Sequence, residues 1–415
     1  MSKKFTFVIP DMSWLYDYKA QFSLGILYLA KVLRNANCDV DIYDTNVNDI
    51  KDIPYSDIFC FSAVHPTYKD CERLAKELKK LYPNSLAIIG GPASTLEPDM
   101  IDAVFDVKFT GQSENSIKEF LADYIDSKYN STYAQQGKVD IDEILPCREI
   151  LPDEYIKTSS IFSSKEEFSE GGSTSIMFSR GCPFNCAFCS SVKLYNRNVR
   201  YRSLKSIKEE VNYIKRVYGI RQFRVQDDTF TINKKFFREL AGMLSKLDIF
   251  YRCSTRIDTL DEETVRLLYE SGCREIGLGI EVANNKVLNI LDKGITIEKA
   301  KHAISLLQKY PINLRQFFII GLPYDSMETM QANIDFIEET KPDSVIVGKF
   351  IPFPGSDMGD NYEKHNIKSV KPETCMNIAQ HLDISPNILR TDISEEEHIK
   401  IMDVFYQYLI SKKFI

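Results

Sequence analysis

The chain lacks any apolar run of the roughly 18 to 20 residues that a membrane-spanning helix needs. Its opening, Met1-Ser-Lys-Lys-Phe, leads into a run too short for a secretory leader, which points to a soluble, cytoplasmic protein. Positive charge is not in excess either. Fifty-two Lys and Arg stand against 59 Asp and Glu, a net of -7, so no overall field favours nucleic-acid phosphates or an anionic lipid surface. Internal repeats, low-complexity tracts and sustained heptads are also missing, which excludes solenoids and coiled coils. What remains is ordinary globular composition, 44% hydrophobic and 27% charged, in 415 residues that suggest two or three domains.

Ten cysteines are present, and without a secretory signal they read as thiols rather than a disulfide framework. Cysteines 38, 60, 71, 147, 253, 273 and 375 are scattered singly in apolar or amphipathic surroundings, as small buried hydrophobes are. The other three fall together in Ser179-Arg-Gly-Cys-Pro-Phe-Asn-Cys-Ala-Phe-Cys-Ser190, where Cys182, Cys186 and Cys189 have C-x3-C-x2-C spacing. Such a loop can turn three thiolates toward one centre, and thiolate is the ligand that zinc and iron-sulfur clusters favour. Apart from Cys147, no other Cys or His lies within about 60 residues of the trio. An open coordination position is therefore the simplest reading. A zinc site completed by Cys147 or Cys253, or chance spacing, are the alternatives.

Residues 1 to about 130 alternate short apolar runs with helix-period segments, the mark of a parallel sheet with crossover helices. Strands are expected at Phe5–Pro10, Asp39–Tyr43, Ile58–Ala63, Leu86–Gly90 and Asp106–Thr110, with helices at Ser23–Arg34, Tyr68–Leu81 and Ser113–Tyr124. Five strands over this length predict a doubly wound, flavodoxin-like domain with ligands at the strands' carboxyl ends. Those ends carry Pro10-Asp-Met-Ser, Ser62-Ala-Val-His65, Gly90-Gly-Pro92 and Gly111-Gln-Ser-Glu114.

Residues 131–174, rich in Ser, Gly, Pro and charge, read as a linker, though Ile144-Leu-Pro and Ile150-Leu-Pro are apolar enough to pack. Alternation resumes over 175–360, with strands expected at Ser175–Phe178, Gln222–Val225, Tyr251–Ser254, Glu275–Gly279, Arg315–Ile320 and Ser344–Phe350. Six repeats suit a partial barrel, whose chemistry belongs at the strands' C-terminal ends, and the cysteine loop follows the first of them. Residues 361–415 form a helical C-terminal region, with helices at Pro372–His381 and Ser394–Leu409, the latter opened by a Ser394-x-x-Glu397 capping box. These helices read as packing rather than as a cap on the barrel mouth.

On the cysteine loop, with Phe188 before its last Cys, the sequence resembles the radical S-adenosylmethionine (SAM) superfamily. The resemblance implies a [4Fe-4S] cluster on Cys182, Cys186 and Cys189, whose fourth iron chelates SAM. One electron then splits the sulfonium bond to give a 5'-deoxyadenosyl radical able to attack an unactivated C–H bond. It further assigns SAM contacts to Phe188, to Asp227 and Asp228 of Val225-Gln-Asp-Asp-Thr-Phe230, to Arg256, to Glu281 and to Gly321 of Ile320-Gly-Leu-Pro-Tyr324. The competing readings are a helix N-cap for the Asp pair, an Arg256–Glu281 bridge and an ordinary strand-to-helix turn. Ile351-Pro-Phe-Pro-Gly-Ser356 also matches a turn common in this group.

The first domain is similar to the cobalamin-binding domain of cobalamin-dependent members, which implies a corrinoid held along Ser62, Gly90, Gly91, Pro92, Gly111 and Glu114. The D-x-H-x-x-G motif that ligates cobalt in mutases is absent, and His65 sits in surroundings that do not match it. A relic domain binding nothing, or helping to bind substrate, is the competing view. Cys38, Cys60 and Cys71 do not have the layout of the second cluster of methylthiotransferases. Together these features imply methylation of an unactivated carbon of a small-molecule or peptide substrate, with a reductant such as flavodoxin or ferredoxin as partner. Radical rearrangement or cyclisation is the alternative chemistry. A zinc or redox sensor built on the same thiolates is the alternative class.

Overall fold

A computed structural model describes residues 2–12, 19, 22–142, 144–151, 153–156, 172–371 and 384–415. The chain divides into two compact units, Met1–Ile156 and Lys157–Ile415.

In the first unit β1 (Lys4–Ile9), β2 (Asp39–Asp44), β3 (Ile58–Ser62), β4 (Leu86–Gly90), β5 (Val107–Thr110) and β6 (Thr132–Ala134) form one parallel sheet. Its order is β2-β1-β3-β4-β5-β6. The chain reverses direction across the sheet between β1 and β3, the switch point at which such folds bind ligands. Runs such as Ile58-Phe-Cys-Phe become strands because β-branched and aromatic side chains can be buried on both faces of the sheet. Phe59, Phe61 and Ile89 meet Tyr68, Leu74 and Leu78 of the helix His65–Leu81 in the core. That helix starts three residues before the expected Tyr68, with Pro66 in its first turn, where a missing N–H costs nothing.

The sixth strand lies beyond residue 130, inside the stretch read as linker. Its middle residue, Tyr133, is buried, stacks on Phe109 at 5.6 Å and donates its hydroxyl to Asp123 at 2.6 Å. Ile144, Cys147, Leu151 and Tyr155 are also buried in this unit, so the apolar fragments after β6 pack there, with the Cys147 amide bonded to the Leu27 carbonyl.

In the second unit β7 (Ser173–Ile176) leads into β8 (Ser179–Arg180), which pairs antiparallel with β9 (Arg200–Tyr201) across the neck of the cysteine loop. Then follow β10 (Gln222–Val225), β11 (Phe250–Thr255), β12 (Cys273–Glu281), β13 (Asn313–Ile320) and β14 (Ser344–Lys349). The six long strands stand in sequential parallel order, β14-β13-β12-β11-β10-β7, as a curled partial barrel. Side-chain caps open the crossover helices: Ser203, Asn233, Asp261, Thr296 and Ser326 each accept an amide of the following turn. Asn233, not the Asp pair, caps the helix after β10.

The helix Glu395–Ser411 is capped by Ser394, which accepts the Glu397 amide at 3.1 Å. Its Phe405 meets Phe318 of β13 edge-on at 5.5 Å, so the helix is packing, as expected. The C-terminal region also carries β15 (Ile367–Val370) and β16 (Ile388–Arg390), an antiparallel pair that its polar sequence did not announce. The helix expected at Pro372–His381 lies outside the described residues.

Candidate functional site

The cysteine loop leaves β8 through Gly181, at φ +101°, where a Cβ would lie 2.1 Å from the Asn198 carbonyl oxygen. Only glycine fits that crossing. Cys182, Cys186 and Cys189 are partly exposed, whereas Cys38, Cys60, Cys71, Cys147, Cys253 and Cys273 are buried. The loop is fixed by its backbone. The Cys189 amide bonds to the Cys186 carbonyl at 3.0 Å, the Ala187 amide to the Leu291 carbonyl at 2.8 Å, and the Met358 amide to the Ala187 carbonyl at 2.9 Å.

Burial raises the Cys182 and Cys186 thiols, and the cations of Lys293 and Arg256 pull Cys186 the other way. Cys189 acts electrostatically on both. Among the described residues no three Cys, His, Asp or Glu side chains are placed to hold a single metal ion. Three partly exposed thiols on one loop fit a thiolate-ligated group such as an iron-sulfur core.

Asp227 and Asp228 follow β10 and have separate tasks. Asp227 is buried, accepts the Phe178 amide at 2.8 Å and the Ser179 hydroxyl at 2.5 Å, and is pushed up to about 7 by burial. Asp228, also raised by burial, accepts the Gly181 amide at 3.1 Å. Both carboxylates thus hold the base of the cysteine loop.

Arg256 follows β11. Its guanidinium forks onto Asp258 with two bonds of 2.9 Å, donates to the Cys186 sulfur at 3.3 Å and to the Lys293 carbonyl, and stacks on Phe184 at 3.6 Å. Glu281, at φ +65° at the end of β12, pairs with Lys293 at 2.5 Å, so the structure contains no Arg256–Glu281 bridge. Gly279 makes room for that pair: a Cβ there would sit 2.4 Å from the Glu281 carboxylate and 2.8 Å from the Lys293 ammonium. Lys293 is also 5.8 Å from the ring of Phe188.

Gly321, at φ +79°, turns the chain after β13. Its amide and that of Leu322 are both accepted by one oxygen of the buried Asp325, at 2.7 and 3.0 Å, and burial pushes Asp325 up to about 7.

Several of these partners escaped the sequence reading. Lys293 stands in Asp292-Lys-Gly, which has no motif, and Thr229, 3.7 Å from the Cys182 sulfur, carries no role in the sequence reading of Val225-Gln-Asp-Asp-Thr-Phe230. Tyr324, His365 and Asp357 form a chain, the Tyr324 hydroxyl 2.7 Å from His365 Nδ1 and Asp357 2.8 Å from Nε2. Nothing short of contact could have joined residues 41 positions apart.

The first unit presents its own set. Ser62 ends β3 in register with Gly90, which ends β4. Gly91, at φ +95°, has no space for a side chain, since a Cβ would be 2.8 Å from the Ala63 carbonyl and 3.2 Å from the Ser62 hydroxyl. Pro92 opens the short helix Pro92–Leu96. From that helix Thr95 donates to the Gly91 carbonyl at 2.9 Å and accepts the Gly111 amide at 2.9 Å, which draws the loops after β4 and β5 together. Gly111 sits at φ +77° and Glu114 is buried beyond it. His65 is engaged by Glu97 at 2.5 Å. The sheet end is thus lined by glycine backbone able to approach a ligand's tail closely, with no motif histidine offered to a metal.

Comparison with known proteins gives two domain matches. The radical SAM superfamily model matches residues 176–337 and the B12 binding domain model residues 20–121. An uncharacterized methyltransferase of Pyrococcus horikoshii is 28% identical over 416 residues, covering 92% of this chain and 86% of that protein. The anaerobic magnesium-protoporphyrin IX monomethyl ester cyclase of Rubrivivax gelatinosus is 28% identical over 398 residues, covering 84% and 69%. Among solved structures, the radical S-adenosylmethionine methyltransferase TsrM of Kitasatospora setae, with cobalamin and a [4Fe-4S] cluster bound, matches with a TM-score of 0.69. It is 15% identical, covers 96% of this chain and 81% of that one, and at that identity speaks for the fold.

Proposed function

Because the chain joins a B12 binding domain to a radical SAM domain, and so belongs to the cobalamin-binding branch of the radical SAM superfamily, we propose that it methylates an unactivated carbon of a small-molecule or peptide substrate. The observation that carries this reading is the accessible trio Cys182, Cys186 and Cys189 in the same chain as a corrinoid-type sheet end whose histidine, His65, is held by Glu97. The trio would hold the cluster. Bound there, the cluster, SAM and the corrinoid supply a carbon-centred radical and a transferable methyl group.

This chain's own residues bind and orient. Glu281 and Lys293, a buried pair of opposite charge beside the loop, match the charged amino and carboxylate ends of SAM. Asp227 and Asp228 keep the loop in shape, and Phe188 flanks Lys293. The turn at Gly321, its amides held by Asp325, would pass beside the adenine. Ser62, Gly90, Gly91, Pro92, Gly111 and Glu114 would hold the corrinoid tail. A flavodoxin or ferredoxin would deliver the electron. No helix among the described residues is long and apolar enough to cross a membrane, in keeping with a cytoplasmic enzyme.

Cyclisation is the second reading, favoured by the similarity to the Rubrivivax cyclase. A single-zinc sensor is the alternative class, separated from the enzyme by metal content: one tightly held zinc favours the sensor, about four irons the cluster. The test is anaerobic reconstitution with both cofactors, a reductant and candidate substrates. Methylation predicts S-adenosylhomocysteine and 5'-deoxyadenosine together. A corrinoid-loaded enzyme that yields only 5'-deoxyadenosine with its true substrate overturns the methylase reading in favour of cyclisation.

A further inference from the structure

Arg256 stands among the expected SAM contacts, but four of its five donors are already committed. A guanidinium has five N–H groups in a planar fork. In Arg256 the Nε and Nη2 edge grips both oxygens of Asp258 at 2.9 Å, and Nη2 also donates to the Lys293 carbonyl. Nη1 donates to the Cys186 sulfur at 3.3 Å, and the plane lies on the ring of Phe184. Gripping a cofactor carboxylate with two parallel bonds requires a free edge. Arg256 has none, and at 6% exposure it has no space to swing one out.

We propose that Arg256 is a tuning residue that acts through Cys186, raising the reduction potential of the cluster, rather than a clamp for the SAM carboxylate. The inference rests on the reading that the cysteine trio holds a four-iron centre. Adding an electron to a thiolate-ligated cluster increases the negative charge on its sulfurs. A donor fixed on one of them stabilises that reduced state more than the oxidised one. The effect depends on the donor staying in place. Asp258, the Lys293 carbonyl and the Phe184 ring hold the guanidinium from three sides, so little ordering is needed when charge arrives. The Cys182 sulfur, by contrast, faces a neutral hydroxyl, that of Thr229. One electron enters from a low-potential reductant, dithionite in the test below, and no proton or bond moves with it.

The experiment is a potentiometric titration of the full chain, reconstituted anaerobically with iron and sulfide, without SAM, the reduced cluster being read by electron paramagnetic resonance. At the wild-type midpoint, Arg256→Gln is expected to lower the reduced-to-oxidised ratio about tenfold, a shift of about 59 mV to more negative potential for one electron. Iron per chain should stay at the wild-type value and SAM affinity should change less than about threefold, well under the 1.4 kcal/mol of a tenfold change. An unmoved potential together with a tenfold loss of SAM binding overturns the inference and makes Arg256 a clamp.

Should Arg256→Gln fail to assemble its cluster, Arg256→Lys keeps a cation near the Cys186 sulfur but loses the planar fork that Asp258 fixes. Its reduced-to-oxidised ratio is then expected to fall about threefold, less than with glutamine, and a potential equal to wild type overturns the inference. A wild-type chain that takes up no four-iron centre overturns the proposed function itself. Four irons with a potential insensitive to both variants overturns only the role of Arg256.

Discussion

Asp227 accepts the hydroxyl of Ser179 at 2.5 Å, joining the end of β10 to a residue 48 positions upstream. Its other oxygen takes the Phe178 amide, while its neighbour Asp228 takes that of Gly181. A pair of carboxylates at the catalytic end of a strand invites a reading as ligand-binding groups. In this fold their first task is to shape the loop that carries the thiolates.

Replacing Asp227 with alanine should therefore act on stability. It leaves a buried amide and a buried hydroxyl without their acceptor, a loss of about 1–3 kcal/mol for each unsatisfied group. Urea unfolding should show Asp227→Ala less stable by roughly that amount. Asp228→Asn keeps an oxygen for Gly181 and should change stability by no more than about 0.5 kcal/mol.

Iron content separates the accessible cysteines from the buried ones. Cys182→Ala, Cys186→Ala or Cys189→Ala should each reduce bound iron about tenfold after anaerobic reconstitution, with little change in circular dichroism, because each removes a ligand from a site that offers three. Cys60→Ser, in the core of β3, should keep its iron and instead lose about 1–3 kcal/mol of stability, since it buries a hydroxyl among apolar groups.

Gly91 and Gly137 both have positive φ, +95° and +58°, but only Gly91 is hemmed in, with the Ala63 carbonyl 2.8 Å from a would-be Cβ and nothing within 4 Å at Gly137. Gly137→Ala should cost about 1–2 kcal/mol, the price of a left-handed backbone for an L-residue. Gly91→Ala should cost more, and should also weaken corrinoid retention on gel filtration at least tenfold by pushing the loop after β4 off the Ser62 side.

Stability against pH should show two opposed slopes. Burial raises Asp325 from 3.8 to about 7, so the folded protein holds that proton longer, and its contribution is full below pH 3.8 and lost as pH rises toward 7. Burial lowers His398 from 6.5 to about 4, so its contribution is full above pH 6.5 and lost as pH falls toward 4. Between pH 4 and 6.5, relative to wild type, Asp325→Asn should make stability climb more steeply with pH. His398→Gln should make it climb less. Denaturant melts at half-unit intervals measure both.

Much of this architecture was legible. Short apolar runs such as Leu86-Ala-Ile-Ile-Gly and Arg315-Gln-Phe-Phe-Ile-Ile, bounded by turn residues, suit parallel strands, and both lie in strands where expected. The cysteine spacing located the loop because its three accessible thiols are close in sequence. Strand β6 was missed because three residues carry too little periodicity; its place is set by Tyr133 reaching Phe109 and Asp123. The same limit hid the pairing of Glu281 with Lys293 and of Arg256 with Asp258. A charged side chain's partner is chosen by strand register and backbone φ, as at Glu281, and neither is written locally.

The sheet of the second unit ends at β7 on one side and at β14 on the other, and those two strands do not bond to each other. A ring of eight strands fixes its own bore, because any change of width must break a ladder somewhere. A wall with a seam is freer: its two rims can spread or draw in by small changes of twist while every backbone rung between neighbours survives. The distance between the two rims is then not fixed by ring closure but by what packs along them.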